Sequence, residues 1–96
     1  MPLKPKSRQI QQPEIAQLVR ELRDTMQLSQ EKFADELGVT FATINRWENG
    51  HATPSPLALK QITTLLHHLS LSPDVTLRTQ SQAIRNKYCL ERKPDA

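Results

Sequence analysis

The sequence contains only two glycines, Gly38 and Gly50. Glycine is the residue that most readily adopts the left-handed backbone conformation with which many helices end. Two such positions, in a chain with no other glycine, predict a short helix within residues 39–49 that is fixed at both ends. This segment restricts where the chain can turn, so it constrains the fold more than any other feature.

Capping residues define the helices around these glycines. Ser29 is a suitable N-cap for a helix over residues 30–37, which the first glycine ends. Thr40 is a suitable N-cap for a helix over residues 41–49, which the second glycine ends. Only a tight turn fits between these two helices, so we expect them to cross steeply.

Two further helices are expected to flank this pair. The helix before it begins at Pro13 or Glu14 and runs for about three turns, because apolar residues recur there at helical spacing. Its inward side chains are Ile15, Leu18, Val19, Leu22 and Met26. Ser55 followed by a proline predicts a helix over residues 56–69. Its expected buried side chains are Leu59, Ile62, Leu66 and Leu69, with Leu65 nearby.

The length of 96 residues allows one small domain with tails. Residues 1–12 contain two prolines and few apolar side chains, which predicts a flexible basic arm. The helices above place the folded domain in residues 13–72. Residues 73–96 are expected to form a tail, with at most a marginal helix over residues 81–90 or an interaction segment. The expected fold class is therefore all-α.

The net charge of +3 is unevenly distributed. The arm carries Lys4, Lys6 and Arg8 without an acid, whereas acidic side chains outnumber basic ones in residues 14–50. A basic arm can attract phosphate, but it also keeps a small protein soluble, and charge alone does not separate the two roles. No apolar run reaches the roughly 20 residues of a membrane span, and the N-terminal lysines are not followed by an apolar stretch, so a secretory signal is not expected. We expect a cytoplasmic, nucleoid-associated protein.

Catalytic and metal sites are not expected. Cys89 has no evident base beside it, and the chain has no phosphate-binding glycine-rich loop. His67 and His68 point about 100° apart on a helix, so they do not form a metal-binding pair. The sequence therefore predicts neither an enzyme nor a resident metal or cofactor.

The spacing of residues 30–47 is typical of a helix-turn-helix. Ala34 is small where the next helix crosses, Gly38 permits the turn, and Ile44 and Trp47 anchor the second helix of the motif to the core. Gly50 then ends that helix. This motif indicates binding to double-stranded DNA.

Residues 28–50, with the sequence LSQEKFADELGVTFATINRWENG, closely resemble the lambdoid repressor and Cro (XRE-type) family of bacterial and phage regulators. The similarity covers about residues 14–69, and its ending at residues 47–50 is particularly specific. The resemblance implies a compact bundle of four or five helices whose third helix enters the major groove. It also implies a transcriptional regulator, more often a repressor.

Helical geometry divides the third predicted helix into two faces. Ile44, Trp47 and Glu48 share one face. The opposite face carries Ala42, Arg46 and Asn49, with Thr43 and Asn45 flanking it. The resemblance makes this second face the candidate DNA-reading surface.

Four residues are predicted to read bases: Phe41, Ala42, Asn45 and Arg46. The planar fork of Arg46 fits guanine O6 and N7, although a phosphate contact is the alternative. Phe41 and Ala42 suit thymine methyl groups. Phe41 could instead pack against the first helix or a partner subunit, and Asn45 could read adenine or simply be solvated.

Five residues are candidate contacts to the DNA backbone: Gln30, Thr43, Asn49, His51 and Thr53. Gln30 lies at a helix N-terminus, which suits a phosphate. The resemblance implies that it also orients the third helix, and that Asn49 and the loop after it contact phosphates. Many relatives have lysine or arginine where this chain has His51 and Thr53, a departure that favours a role for the basic arm. The resemblance also pairs Arg23 with Glu48 as a structural tie.

One copy of such a helix, about 13 Å long, reads about four or five base pairs, which is too few to select a site. We therefore expect a homodimer that contacts itself through the fourth helix, the tail after Pro73, or both. Two alternatives remain open at this point. The protein could be an antitoxin that binds a toxin through its arm or tail, or a protein–protein adaptor that does not bind DNA.

Overall fold

The computed structural model describes residues 10–88 and Leu90. They form five helices: α1 (Glu14–Met26), α2 (Gln30–Leu37), α3 (Phe41–Glu48), α4 (Pro56–Leu69) and α5 (Val75–Lys87). The described residues contain no β-strand, so the predicted all-α fold class is confirmed. None of these five helices is long and apolar enough to span a membrane.

The predicted caps determine where the central helices begin and end. The hydroxyls of Ser29, Thr40 and Ser55 accept hydrogen bonds from the backbone N–H three residues ahead, at 3.1, 3.2 and 3.1 Å. Gly38 and Gly50 both adopt the left-handed conformation, with φ of 74° and 78°. α2 and α4 have the predicted bounds, whereas α3 ends at Glu48, one residue earlier than predicted.

The core lies between α1 and the four later helices. It is mainly aliphatic and also contains Phe33 and Trp47. α4 presents a narrower inward face than predicted, because only Ile62 and Leu66 are fully buried while Leu59 and Leu69 are partly buried. On its other side Leu57, Lys60 and His68 are exposed, and none of the four other described helices covers them.

The N-terminal boundary differs from the sequence-based expectation. The sequence predicts that residues 10–12 belong to a flexible arm, but Ile10 is buried in the core with 8% of its surface exposed. Gln12 hydrogen-bonds to backbone groups far away in the chain. The prolines and polar residues of this region predict an arm without a buried side chain. The burial of one isoleucine is nevertheless sufficient to anchor a short segment. The rest of the predicted arm lies outside the described residues.

The C-terminal region also differs. In place of a tail with a marginal helix over residues 81–90, α5 begins at Val75 and runs for more than three turns. Asp74 caps it by accepting a hydrogen bond from Leu77 N at 3.1 Å. The helix packs against α1 and α4, and so it belongs to the folded domain.

A buried serine explains why the apolar pattern understated α5. Ser81 is fully buried between Leu77 and Ile84, and its hydroxyl donates to Leu77 O at 2.7 Å within the same helix. This bond satisfies the hydroxyl, so that the small side chain can occupy a core position. Counting only apolar residues leaves this position out of the inward face.

Candidate nucleic-acid interface

α3 has one buried face and one exposed face. Ile44 and Trp47 are buried with 0% and 4% of their surface exposed. The exposed residues of this helix and its C-cap are Phe41, Ala42, Arg46 and Asn49. Phe41 is 50% exposed and does not form part of the core. Among the described residues, the helix is therefore anchored along one side and exposed along the other.

A buried ion pair fixes the last turn of α3 to α1. The Glu48 side chain is only 3% exposed, and its two carboxylate oxygens accept hydrogen bonds from Arg23 Nε at 2.7 Å and Nη2 at 3.0 Å. This bidentate bond raises the pKa of Arg23 above its ordinary value. A planar fork on a carboxylate restricts rotation as well as distance, so the pair sets the orientation of α3.

A chain of amide hydrogen bonds runs from this carboxylate to the exposed face. Gln30 Nε2 donates to Glu48 Oε1 at 2.9 Å, and Gln30 Oε1 accepts from Asn45 Nδ2 at 3.3 Å. Asn45 Oδ1 in turn accepts from Asn49 Nδ2 at 3.1 Å. The structure therefore brings together three of the predicted site residues, and both ends of the Asn45 amide are already engaged within the protein.

The remaining predicted contact residues lie at the two ends of α3. The hydroxyl of Thr43 is 3.0 Å from that of Thr40, beside the start of the helix. His51 and Thr53 are exposed in the loop that follows the helix. His51 N donates to Arg46 O at 2.9 Å, which ties the first part of this loop to α3.

Two residues that hold α3 were not anticipated from the sequence. Arg20 Nη2 donates to Glu48 O at 2.8 Å, and Gln12 Nε2 donates to Trp47 O at 3.1 Å. Arg20 is one helical turn before Arg23, so the spacing of the two arginines was an available signal. Gln12 carried no such signal, because it precedes the first helix.

The exposed surface of the motif has few positive charges. Arg46 is the one exposed charged side chain on α3. On α2, the exposed acidic residues Glu31, Asp35 and Glu36 surround Lys32. Long-range attraction to a polyanion therefore has to come mainly from outside the motif.

Comparison with known proteins agrees with this geometry. A sequence profile described as helix-turn-helix matches residues 19–72, which is more than half of the chain and includes α2, α3 and α4 in full. No curated protein and no solved structure matches the chain. From the profile match and the arrangement of α2 and α3, the chain belongs to the Cro/C1-type (XRE) helix-turn-helix family, whose shared domain is a DNA-binding domain of transcriptional regulators.

Proposed function

We propose that the protein is a sequence-specific regulator of transcription that reads the major groove of double-stranded DNA with α3. The observation that carries this proposal is the fixed α3, which has an exposed face of Phe41, Ala42 and Arg46. An α-helix fits the major groove, where the four base pairs present different patterns of donors, acceptors and methyl groups. A helix fixed by a buried ion pair presents these side chains in one geometry.

Arg46 is the principal base reader in this proposal. It is exposed, and it is the charged residue on the outer face of α3. Its guanidinium fork can donate two parallel hydrogen bonds to guanine O6 and N7. Phe41 and Ala42 provide apolar contacts to thymine methyl groups. Asn45 reads adenine only if its amide leaves Gln30 and Asn49, so its first role is to position those two residues.

The backbone contacts surround this reading face. Gln30 opens α2, where unpaired N–H groups and the helix dipole favour a phosphate. Thr43 and Asn49 flank the exposed face of α3, and His51 and Thr53 follow it in the loop. The basic arm adds the long-range attraction that the motif itself lacks.

The protein acts as a homodimer on a nearly palindromic site, in the cytoplasm at the nucleoid. A single α3 spans too few base pairs to select a site, and a two-fold arrangement doubles the readout. Outside α3, the large apolar side chains exposed in the described part of the chain are Leu57, Leu71 and Val75. Two of them lie where α4 turns into α5, which supports a self-contact at this corner. Repression by occlusion of a promoter is the proposed mode of regulation.

Selection of bound duplexes from a random pool tests the function. We expect an enriched site with two-fold symmetry and half-sites about one helical turn apart. Arg46→Ala should weaken binding and relax one position in each half-site by about 1–3 kcal/mol. Arg46→Lys keeps the charge without the fork, so it should retain affinity for unrelated DNA while losing specificity. No enrichment, together with no affinity for DNA at low salt, would favour an adaptor that does not bind DNA.

A second candidate function is that of an antitoxin with the same DNA-binding surface. In this candidate the exposed Leu71 and Val75 meet the toxin in place of a second copy of the chain, and because they lie outside α3 the toxin would leave the DNA-reading face uncovered. Co-expression with a neighbouring small reading frame discriminates between the two. A stable complex that relieves growth arrest identifies an antitoxin, whereas a self-sufficient dimer on DNA identifies an independent regulator.

A further inference from the structure

The side chain of Gln12 connects three separate parts of the fold. Its Nε2 donates to Trp47 O at 3.1 Å and to Ala52 O at 2.8 Å. Its Oε1 accepts from Ala16 N at 3.1 Å. The first bond meets the last turn of α3, the second meets the loop after it, and the third meets the first turn of α1. One amide therefore joins the beginning of α1 to the end of α3 and to the following loop.

The chemistry of these partners fixes the orientation of the amide. Both carbonyl oxygens are acceptors only, and the backbone N–H of Ala16 is a donor only. The NH₂ group must therefore face Trp47 and Ala52. Each partner is also a group that a helix end or a loop leaves without an intrahelical hydrogen bond. A glutamate or an aliphatic side chain does not satisfy all three.

The bond to Trp47 is part of the turn that leads into the loop. Trp47 O also accepts from Gly50 N at 3.2 Å, and Ala52 lies between His51 and Thr53 in the chain. Gln12 thus holds the loop at both its beginning and its middle. Other side chains hold α3 itself, through Glu48 and the buried Ile44, so the loop is the part that depends most on Gln12.

We propose that Gln12 is a positioning residue for DNA binding, which holds the loop after α3 so that His51 and Thr53 are presented to the phosphate backbone. This inference rests on the proposed DNA-binding function. Gln12 touches no DNA in this arrangement and acts through the loop. Its loss should therefore reduce contacts that are independent of sequence and leave base discrimination by Arg46 intact.

Amide hydrogen exchange in the free, full-length protein gives the first test. Gln12→Met keeps the length of the side chain and removes its hydrogen bonds. We expect the Gly50 and His51 amides to exchange about tenfold faster, because local opening of the loop becomes easier. Gln82→Met is the matched control, since Gln82 Nε2 donates to the Ser70 carbonyl at 3.2 Å where α4 ends, away from α3. It should leave the Gly50 and His51 amides unchanged.

DNA binding gives the second test. We expect Gln12→Met to bind the selected duplex and an unrelated duplex about five- to tenfold more weakly, with an unchanged ratio of the two affinities. The salt dependence should stay close to that of the wild type, because neither His51 nor Thr53 brings a lysine or arginine charge to a phosphate. The wild type is the reference for binding, because Gln82 bonds to Ser70 beside the corner proposed for the self-contact, so Gln82→Met serves as the control for exchange alone. If Gln12→Met does not fold, Gln12→Asn is used instead. The asparagine side chain keeps an amide but is one methylene too short to reach all three partners.

Each outcome decides the inference. Unchanged exchange at Gly50 and His51, or equal changes in both variants, overturns it. Faster exchange with unchanged affinity for both duplexes also overturns it, because the loop would then not contact phosphate. If the wild type itself shows no salt-dependent affinity for duplex DNA, the proposed function fails, while the exchange data still report whether Gln12 holds the loop.

Discussion

The buried carboxylate of Glu48 links the core to the proposed reading face. It accepts hydrogen bonds from Arg23 on α1 and from Gln30 on α2, so two helices define its position. A charge removed from water in this way is stable only while its partners remain. The same group therefore affects both the stability of the fold and the geometry of α3.

We expect Arg23→Met to lower the free energy of unfolding by about 2–4 kcal/mol, because it leaves the Glu48 carboxylate buried without its main partner. The double variant Arg23→Met/Glu48→Met should be more stable than the single variant, since no unpaired charge then remains in the core. Urea denaturation followed by circular dichroism measures both. A double variant that is less stable than Arg23→Met would contradict this, because it would show that the Glu48 carboxylate stabilises the fold through its other partners, such as Gln30, even without Arg23.

The two glycines differ from Glu48 in that only their backbone conformation matters. An added Cβ would meet no atom within 4 Å at either position, and φ is 74° at Gly38. We therefore expect Gly38→Ala to cost about 1 kcal/mol through left-handed strain alone, and Gly38→Asn to cost less. Urea denaturation of both variants checks the order. A loss of several kcal/mol would instead indicate a steric role for the missing side chain.

The sequence predicts an individual contact only where a local motif or the family resemblance indicates both partners. The pairing of Arg23 with Glu48 followed from the resemblance to the repressor family, and the bonds at Ser29 and Thr40 followed from cap chemistry. The bonds of Gln12 could not be predicted in this way. They depend on how α1 and α3 pack, and no local pattern in the sequence reports that arrangement.

At the scale of helices, the sequence indicates an element most clearly where its ends are marked. α2 and α4 have the predicted bounds because a serine caps the N-terminus of each. Gly38 ends α2, and Pro56 is the first residue of α4. α5 has a weaker apolar pattern, and its inward face includes the buried Ser81. Its Asp74 cap was present in the sequence, but packing on α1 and α4 is what makes the helix part of the fold.

Tyr88 reports whether α5 is docked. Burial raises the pKa of its phenol above the ordinary value of 10.0, the Glu21 carboxylate on α1 raises it further, and the ammonium of Lys87 lowers it. Because the pKa of Tyr88 is raised in the folded state, its neutral phenol contributes to the stability of the fold. This contribution is fully present below pH 10 and is lost as the pH rises through the pKa of the folded state.

Tyr88 is the only tyrosine, so phenolate absorbance follows it alone. We expect its titration midpoint to lie above 10.0 in the native protein and to return to the ordinary value in urea. Tyr88→Phe should remove the absorbance change and the part of the alkaline destabilisation that Tyr88 causes. Its stability near neutral pH should not fall by more than about 1 kcal/mol, because the hydroxyl has no hydrogen-bond partner among the described residues. A native midpoint at the ordinary value would place Tyr88 in solvent and α5 away from α1.

Across the whole molecule, shape and charge are supplied by different parts of the chain. The helices fix the geometry of α3, but the exposed surface of α2 is largely acidic and α3 adds only Arg46. Attraction to phosphate falls with salt in proportion to the number of phosphates that basic side chains contact. A chain with a net charge of +3 and an acidic central region therefore needs its basic ends if it is to bind DNA tightly.

The positive charge of the arm is carried by Lys4, Lys6 and Arg8. Changing all three to glutamine should weaken binding to every duplex similarly and leave the selected sequence unchanged, because phosphate contacts carry no sequence information. The slope of log affinity against log salt should become shallower by about 0.9 for each of these side chains that contacts a phosphate. Fluorescence anisotropy over a range of salt concentrations measures the slope.

A single substitution on α4 is the control for this measurement. Lys60→Gln removes one exposed charge from a helix that is not expected to face DNA, and it should alter the slope far less than each arm residue does. If the triple variant and the wild type have the same slope, the arm does not contact phosphate. The salt dependence of the wild type would then have to come from Arg46 and from basic side chains outside α3, such as Arg20 on α1 and those after residue 73. A weak salt dependence in the wild type would agree with that result, so the two measurements check each other.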